Sequence, residues 1–446
     1  MNSHTQSSKP ADVRPHVVII GGGFAGLNAA RAFKGKDVCV TLLDRKNHHT
    51  FQPLLYQVAL AALSPAEIAS PIRTAVRWQK NVEVLIGTAD GFELDRRVIR
   101  LKEGIEVSYD YLIVATGATH SYFGHPEWAK IAPGLKSLED ATEIRRRILL
   151  AFELSERESL LEGIQRPINF VVVGAGPTGV ELSGAIAEIS QHVLKTDFRG
   201  TDPRRARVIL LEGGPRVLAS YSEDLSAKAQ KQLEELGVEV HTSTMVTNLE
   251  PGVVHVGEKK IDAAVILWAA GVQASHLGKA LGSPTDRSGR VLVDDRLNIP
   301  GHPEVFVLGD LAHFEQDGAP LPGVAQVAIQ TGKYAAAEIV RRIGNQPSRV
   351  FHYHDKGSMA TIGRARGIGQ IGKTHLSGFP AWFAWLCIHL VFLIGYRNRV
   401  AVLLDWMWQY LSWQSGARLI TGSDNLPGWR QHHAAEEKLP EEQKVG

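Results

Sequence analysis

The sequence predicts an α/β protein in which two parallel-sheet units of one kind are nested, the second inserted in the first, with an apolar C-terminal region behind them. Three observations predict this. A ten-residue pattern, VVIIGGGFAG over Val17–Gly26, returns as FVVVGAGPTG over Phe170–Gly179. Further short apolar runs stand at Val38–Leu43, Tyr111–Ala115, Val208–Leu211, Val265–Trp268 and Val305–Leu308, separated by helical stretches such as Ser222–Leu236, which Gly237 would stop. From about residue 350 the composition changes, and five of the nine tryptophans fall between residues 382 and 413.

The chain opens on Met1–Arg14, polar residues without the apolar segment of a secretory signal, read as a disordered lead-in. Val17–Ile20 is a continuous apolar run, which suits a parallel strand buried on both faces. Gly21, Gly23 and Gly26 then form GxGxxG, with Phe24 and Ala25 between the last two. The first glycine allows a tight turn, the second lets main chain approach a pyrophosphate, and the third lets the helix pack on the strand. The helix start also offers N–H groups and a positive dipole end to phosphate. Asp44 closes the next strand eighteen residues after Gly26, where a carboxylate accepts from ribose hydroxyls.

The second pattern repeats this order. Gly174, Gly176 and Gly179 follow a strand, and Glu212 ends Val208–Leu211. An acid there favours a dinucleotide without a 2′-phosphate, although Arg216 stands close enough in sequence to soften the preference. Two fingerprints imply two dinucleotides and so two Rossmann-like dinucleotide-binding domains.

This arrangement resembles the two-dinucleotide-domain flavoproteins, which hold FAD in the first fingerprint and a pyridine nucleotide in the second. Ala115-Thr116-Gly117 and Ala269-Ala270-Gly271 each follow a strand, as the resemblance requires, so Ala270 and Gly271 belong with the second site. Gly309-Asp310 ends Val305–Leu308, and the resemblance implies that Asp310 holds the FAD ribityl chain. Many members carry a redox cysteine pair beyond the first acid. Here that place reads His48, His49, Phe51, Gln52 and Pro53, and the only cysteines are Cys39 and Cys387. Thiol-relay reductases are disfavoured, and an all-cysteine metal or iron–sulfur site is excluded.

Phe51–Ala59, FQPLLYQVA, and Ala325–Gln330, AQVAIQ, are similar to signatures of the type II NADH dehydrogenases. The second matches that family's AQxAxQ quinone pattern. Gln326 and Gln330 share a helix face and carry amide donors for a quinone carbonyl, while Ala325 and Ala328 are small enough for close approach. A helix start near Gly323 would stabilise negative charge on a reduced ring. The resemblance also implies that Glu181 lies beside the nicotinamide and flavin rings, and that Lys356 lies near flavin and quinone. Without function, Glu181 would answer to the helix dipole and Lys356 to solvent.

Phe379–Tyr396 is eighteen residues without formal charge, near the lower limit of about 17 for a membrane span. Arg397 and Arg399 follow, then Val400–Trp413 with Asp405 and Gln409 interposed. The run reads as an interfacial helix, a buried core helix or a span, in that order. The resemblance implies a monotopic membrane anchor. A net charge of +2 makes no case for nucleic acid.

The expected division is a lead-in at 1–14, a discontinuous FAD domain at 15–134 and 273–349, an NADH domain at 135–272, a membrane-associating region at 350–430 and a charged tail at 431–446. The expected activity is transfer of two electrons from NADH through FAD to a membrane quinone. It pumps no protons, since no bundle of charged spanning helices is present. The expected setting is a homodimer on the cytoplasmic face of the cell inner membrane, within a respiratory chain. Two alternatives remain at this stage: a soluble reductase serving a ferredoxin- or rubredoxin-like partner, and a flavoprotein without catalysis.

Overall fold

Apolar runs at the predicted places form the strands of two separate parallel sheets. The structure is a computed structural model and describes residues 14–429. Apart from Arg14, the expected lead-in lies outside the described residues, as does the tail at 431–446. The chain divides into two compact units. One gathers the chain up to His49 with Ser70–Thr119 and Val272–Asp355; the other gathers Thr50–Ala69, His120–Gly271 and the chain from Lys356 onward.

The first unit is built on a six-stranded sheet in the order Asn298–Ile299, His302–Val307, Tyr111–Val114, His16–Ile20, Cys39–Asp44, Val82–Ile86. All neighbours but the first pair run parallel. Ile20 lies beside Leu43 on one side and Val114 on the other, so the glycine turn follows the middle of the sheet. Val17, Val18 and Ile19 are fully buried, as two-faced packing requires. Each buried side chain of this size contributes about 1.5–3 kcal/mol. Helix Phe24–Ala32 packs against helix Ala325–Ile343, and their crossing is close: a Cβ on Gly332 would stand 2.2 Å from the Ala25 carbonyl oxygen.

The second unit holds a four-stranded parallel sheet in the order Val238–His241, Arg207–Leu211, Asn169–Val173, Val265–Trp268. The long helix Leu138–Glu162 precedes it. Ser137 and Asp140 form its capping box, and Gly163, with φ 71°, stops it in the left-handed conformation. Helix Glu223–Glu235 begins after Ser222 and stops before Gly237, whose φ is 85°, as its sequence pattern predicts. Beyond residue 356 come an antiparallel sheet, Ser358–Gly363, Arg366–Ile371 and Thr374–Ser377, and two helices, Phe379–Phe392 and Tyr396–Ser412.

The apolar run 379–396 is therefore not one helix. Leu393 turns extended, and Gly395 takes φ 93° before the second helix begins. Among the described residues, no helix is long and apolar enough to cross a membrane.

Replacing Gly332 with alanine is expected to push helix Phe24–Ala32 off helix Ala325–Ile343, because the obstructing atom is main chain. Overpacking of this kind costs about 1–3 kcal/mol, read as a lowered midpoint in thermal unfolding.

Candidate active site

Each unit carries a glycine turn, here called a cradle, at the carboxyl end of an inner strand of its sheet, leading into a helix. In the first, Gly21 has φ 102°, and a Cβ there would lie 2.4 Å from the Ala115 carbonyl oxygen. A Cβ on Gly26 would lie 1.8 Å from the Gly21 oxygen, so no side chain fits where the helix meets the turn. Gly23 stands at the helix N-cap and gives no side-chain cap, and the first turn holds no acid. An anion is the natural partner for such an end.

Asp44 grips this loop. Its carboxylate accepts the Gly22 N–H at 2.5 Å and the Lys46 N–H at 2.7 Å. His49, which is 2% exposed, donates from Nδ1 to the Gly22 carbonyl at 2.9 Å. Burial lowers its pKa, so the ring is neutral at pH 7 and Nε2 is a bare acceptor. That Nε2 and the Oγ1 of Thr116 are both buried without a hydrogen-bond partner. In the same unit Gly309, Asp310 and Gly323 line a cavity of about 270 Å³ with Ala118, Gln273 and Val327.

Helix Ala325–Ile343 begins where the sequence places it, with Ala325 and Gln326 half-buried in its first turn. Gln330 is engaged with main chain: its Nε2 donates to the His354 carbonyl at 2.9 Å, and its Oε1 accepts the His354 N–H at 3.0 Å. Gln326 takes no part in that pairing.

The second cradle repeats the first. Gly174 has φ 98°, and a Cβ there would lie 2.5 Å from Ala270 Cα. A Cβ on Gly179 would lie 1.8 Å from the Gly174 oxygen. Gly176 is the uncapped N-cap and Pro177 opens the helix. Glu212 accepts the Ala175 N–H and the Gly214 N–H, both at 2.7 Å. Arg216 donates to the Tyr221 and Ala219 carbonyls at 2.7 and 2.8 Å, which ties its guanidinium to its own loop. Ala270 and Gly271 stand half-buried just beyond Trp268.

Glu181 lies one turn into helix Pro177–Glu188 and lines an aromatic cavity of about 120 Å³ with Tyr56, Glu188, Arg364, Trp382 and Trp385. Burial pushes its carboxyl up to about 8, against the lowering effect of the Thr361 main-chain hydrogen bond. Burial also raises Glu188, which accepts the Arg364 N–H at 2.5 Å. Gln57 braces the wall, donating to Tyr56 Oη and accepting from Trp406 Nε1, each at 2.8 Å. Lys356 is exposed just ahead of the strand Ser358–Gly363.

The structure thus groups Gly21, Gly23, Gly26, Asp44, Thr116, Asp310 and Gln326 in one unit, and Gly174, Gly179, Glu181, Glu212, Gly271 and Lys356 in the other. Sequence reasoning gave His49 no role and missed the aromatic cavity. Tyr56 and Gln57 lay within the quoted FQPLLYQVA run, but nothing local linked them to Trp406.

Residues 15–332 match the family described as pyridine nucleotide-disulphide oxidoreductase, and residues 355–412 match the NDH2 C-terminal domain. The type II NADH:quinone oxidoreductase Ndh of Mycobacterium tuberculosis is 44% identical over 438 residues, covering 95% of this chain and 94% of that protein. Its NdhA counterpart is 45% identical over 434 residues, covering 93% and 92%. Among solved structures, NDH2 of Plasmodium falciparum in complex with NADH superposes with TM-score 0.81 at 20% identity, over 92% of this chain and 100% of that one, a likeness of fold.

The raised Glu181 fixes a sign for stability. The folded chain holds this proton to about 8, whereas an unfolded glutamate releases it near ~4.3. Stability from this group is full below the lower value, falls as pH rises between the two, and levels above the upper one. Glu181→Gln should therefore melt increasingly higher than the unsubstituted chain from pH 5 to 8, with the gap constant above that, in thermal melts across pH.

Proposed function

The chain belongs to the type II NADH:quinone oxidoreductases, and from that membership we propose that it oxidises NADH with bound FAD and reduces a membrane quinone. The observation that carries the proposal is the pair of matching cradles, each with its own acid. FAD is assigned to the first and NADH to the second. The first cradle fits FAD: no side chain fits at Gly21 or Gly26, space is open at the uncapped helix end at Gly23, and two buried polar atoms, His49 Nε2 and Thr116 Oγ1, lack partners. When bound, FAD supplies the two-electron carrier between the donor nucleotide and the quinone.

The roles assigned to this chain's residues follow from their chemistry. Main chain at Gly21, Gly23, Phe24, Ala25 and Gly26 takes the FAD pyrophosphate, and Asp44 takes the adenosine ribose. Ala115, Thr116, Gly117, Gly309, Asp310 and Ala325 enclose the rest. Gly174, Gly176, Gly179, Glu212, Ala270 and Gly271 do the same for NADH. With Arg216 bound to its own loop carbonyls, Glu212 is left to disfavour a 2′-phosphate. Glu181 holds a proton on its carboxyl at neutral pH, which suits it to deliver one as the quinone gains electrons. Gln326 is assigned to the quinone carbonyl. Gln330 holds the His354 main chain and so steadies the segment leading to Lys356, whose positive charge favours an anionic quinol.

Membrane docking is assigned to 350–430, with 15–134 and 273–349 as the FAD domain and 135–272 as the NADH domain. The helices Phe379–Phe392 and Tyr396–Ser412 expose Phe383, Val391, Tyr396, Leu404, Trp408 and Leu411, with Arg397 and Arg399 among them. Apolar surface with neighbouring arginines suits insertion into an interface without crossing it. The cytoplasmic face of the cell inner membrane and a homodimer complete the proposal.

Three outcomes test it. The purified protein should oxidise NADH, followed at 340 nm, when a short-chain quinone is added; no quinone-dependent oxidation would refute the function. Gln326→Ala should lower quinone-dependent turnover about tenfold, as loss of one hydrogen bond in the transition state does, while reduction of ferricyanide by NADH persists. Replacing Leu404, Trp408 and Leu411 together by serine should abolish co-flotation with phospholipid vesicles and leave ferricyanide reduction intact.

A further inference from the structure

In the second sheet the nucleotide's direction can be read from strand order. Glu212 follows Arg207–Leu211, the glycine loop follows Asn169–Val173, and Ala269-Ala270-Gly271 follows Val265–Trp268, and these three strands are adjacent in that order. Ligands of such sheets lie across the carboxyl ends of the strands. A dinucleotide with its pyrophosphate on the glycine loop and its adenosine ribose at Glu212 therefore extends its nicotinamide half over the end of Val265–Trp268.

Each flank of this crevice carries an exposed apolar side chain on a braced strap. At the adenosine flank Met245 is 66% exposed, and a Cβ on Gly213 would stand 2.9 Å from its Cε. Its strap is tied down by Ser243 N–H to the Gly214 carbonyl at 2.7 Å and Thr244 N–H to the Glu212 carbonyl at 2.8 Å. At the nicotinamide flank Phe123 is also 66% exposed, and a Cβ on Gly271 would stand 2.8 Å from its Cζ.

The Phe123 strap is tied twice to the strand end. Ser121 donates its N–H to the Gly271 carbonyl at 3.1 Å and accepts from Trp268 Nε1 at 2.7 Å. Tyr122 stacks on Trp268 at 5.3 Å, and the Phe123 ring sits edge-on to the same indole at 6.1 Å. Phe123 itself has φ 49°, the left-handed region that a bulky residue adopts rarely. A single exposed apolar residue needs no explanation. Two of them, each seated on a glycine at opposite ends of one dinucleotide crevice, fit the two rings of the ligand.

We propose that Phe123 packs on the nicotinamide mononucleotide half of NADH and Met245 on its adenine, so that the pair fixes the nucleotide's position along the crevice. This rests on the reading of NADH as the donor in the second cradle.

The test compares NADH with ADP-ribose, which shares the adenine and pyrophosphate but lacks nicotinamide, on the FAD-loaded enzyme. Loss of one ring-stacking contact weakens binding about tenfold. Phe123→Ala should raise the KM for NADH by about that factor and leave the inhibition constant of ADP-ribose unchanged, with Phe123→Tyr restoring the KM. Met245→Ala should weaken NADH and ADP-ribose alike. An unchanged KM in Phe123→Ala, or an equal loss for both ligands there, overturns the proposal, and thermal melts show that each variant is folded. A wild-type enzyme that oxidises NADH while Phe123→Ala behaves normally sinks this inference alone. A wild-type enzyme that neither oxidises NADH nor is inhibited by ADP-ribose removes the donor reading, and this proposal with it.

Discussion

Everything functional in this chain depends on a contact in which no side-chain carbon fits. In both cradles the third glycine of the motif sits so close to the first that an added Cβ would lie 1.8 Å from its carbonyl oxygen. That approach brings an uncapped helix end to the carboxyl edge of a buried strand, and an uncapped end is where phosphate binds. The acids reinforce the same geometry. Asp44 accepts the Gly22 N–H and Glu212 accepts the Ala175 N–H, and both donors are the second residue of their loop. Each acid therefore shapes its own loop, besides the ribose contact proposed for it. A change at either acid removes a hydrogen bond that holds its glycine loop.

Around these fixed parts the chain arranges groups of opposite polarity for different tasks. His49 is kept neutral by burial, with a bare nitrogen beside the first loop. Glu181 is kept protonated by burial within an aromatic wall. Both result from desolvation disfavouring charge, and both leave an enclosed group that can accept or give a single hydrogen. The C-terminal helices work differently. Their apolar side chains stay exposed, which suits the membrane docking proposed for them.

The parts legible in the sequence are those whose cause is local. Val17–Gly26 and Phe170–Gly179 announce strand, turn and helix within ten residues, because burial on two faces and close glycine packing are written into adjacent positions. Helix Ala325–Ile343 and the stop at Gly237 were equally plain. The rest depends on contacts far apart in the chain. Residues 50–69 group with the second unit, and Gln57 meets Trp406 across hundreds of positions. The pairing of Gln330 with the His354 main chain is likewise not visible in the AQVAIQ run itself. The apolar run 379–396 looks continuous, yet Gly395 breaks it, since glycine tolerates a positive φ that its neighbours do not.

Counting bound nucleotides on the purified protein decides whether each glycine turn holds a dinucleotide of its own. Flavin released on denaturation and NAD⁺ bound at equilibrium to the intact holoprotein should each come to one per chain, with neither displacing the other. A protein that carries no flavin, or in which NAD⁺ competes with FAD for a single place, would rule out two separate dinucleotide sites.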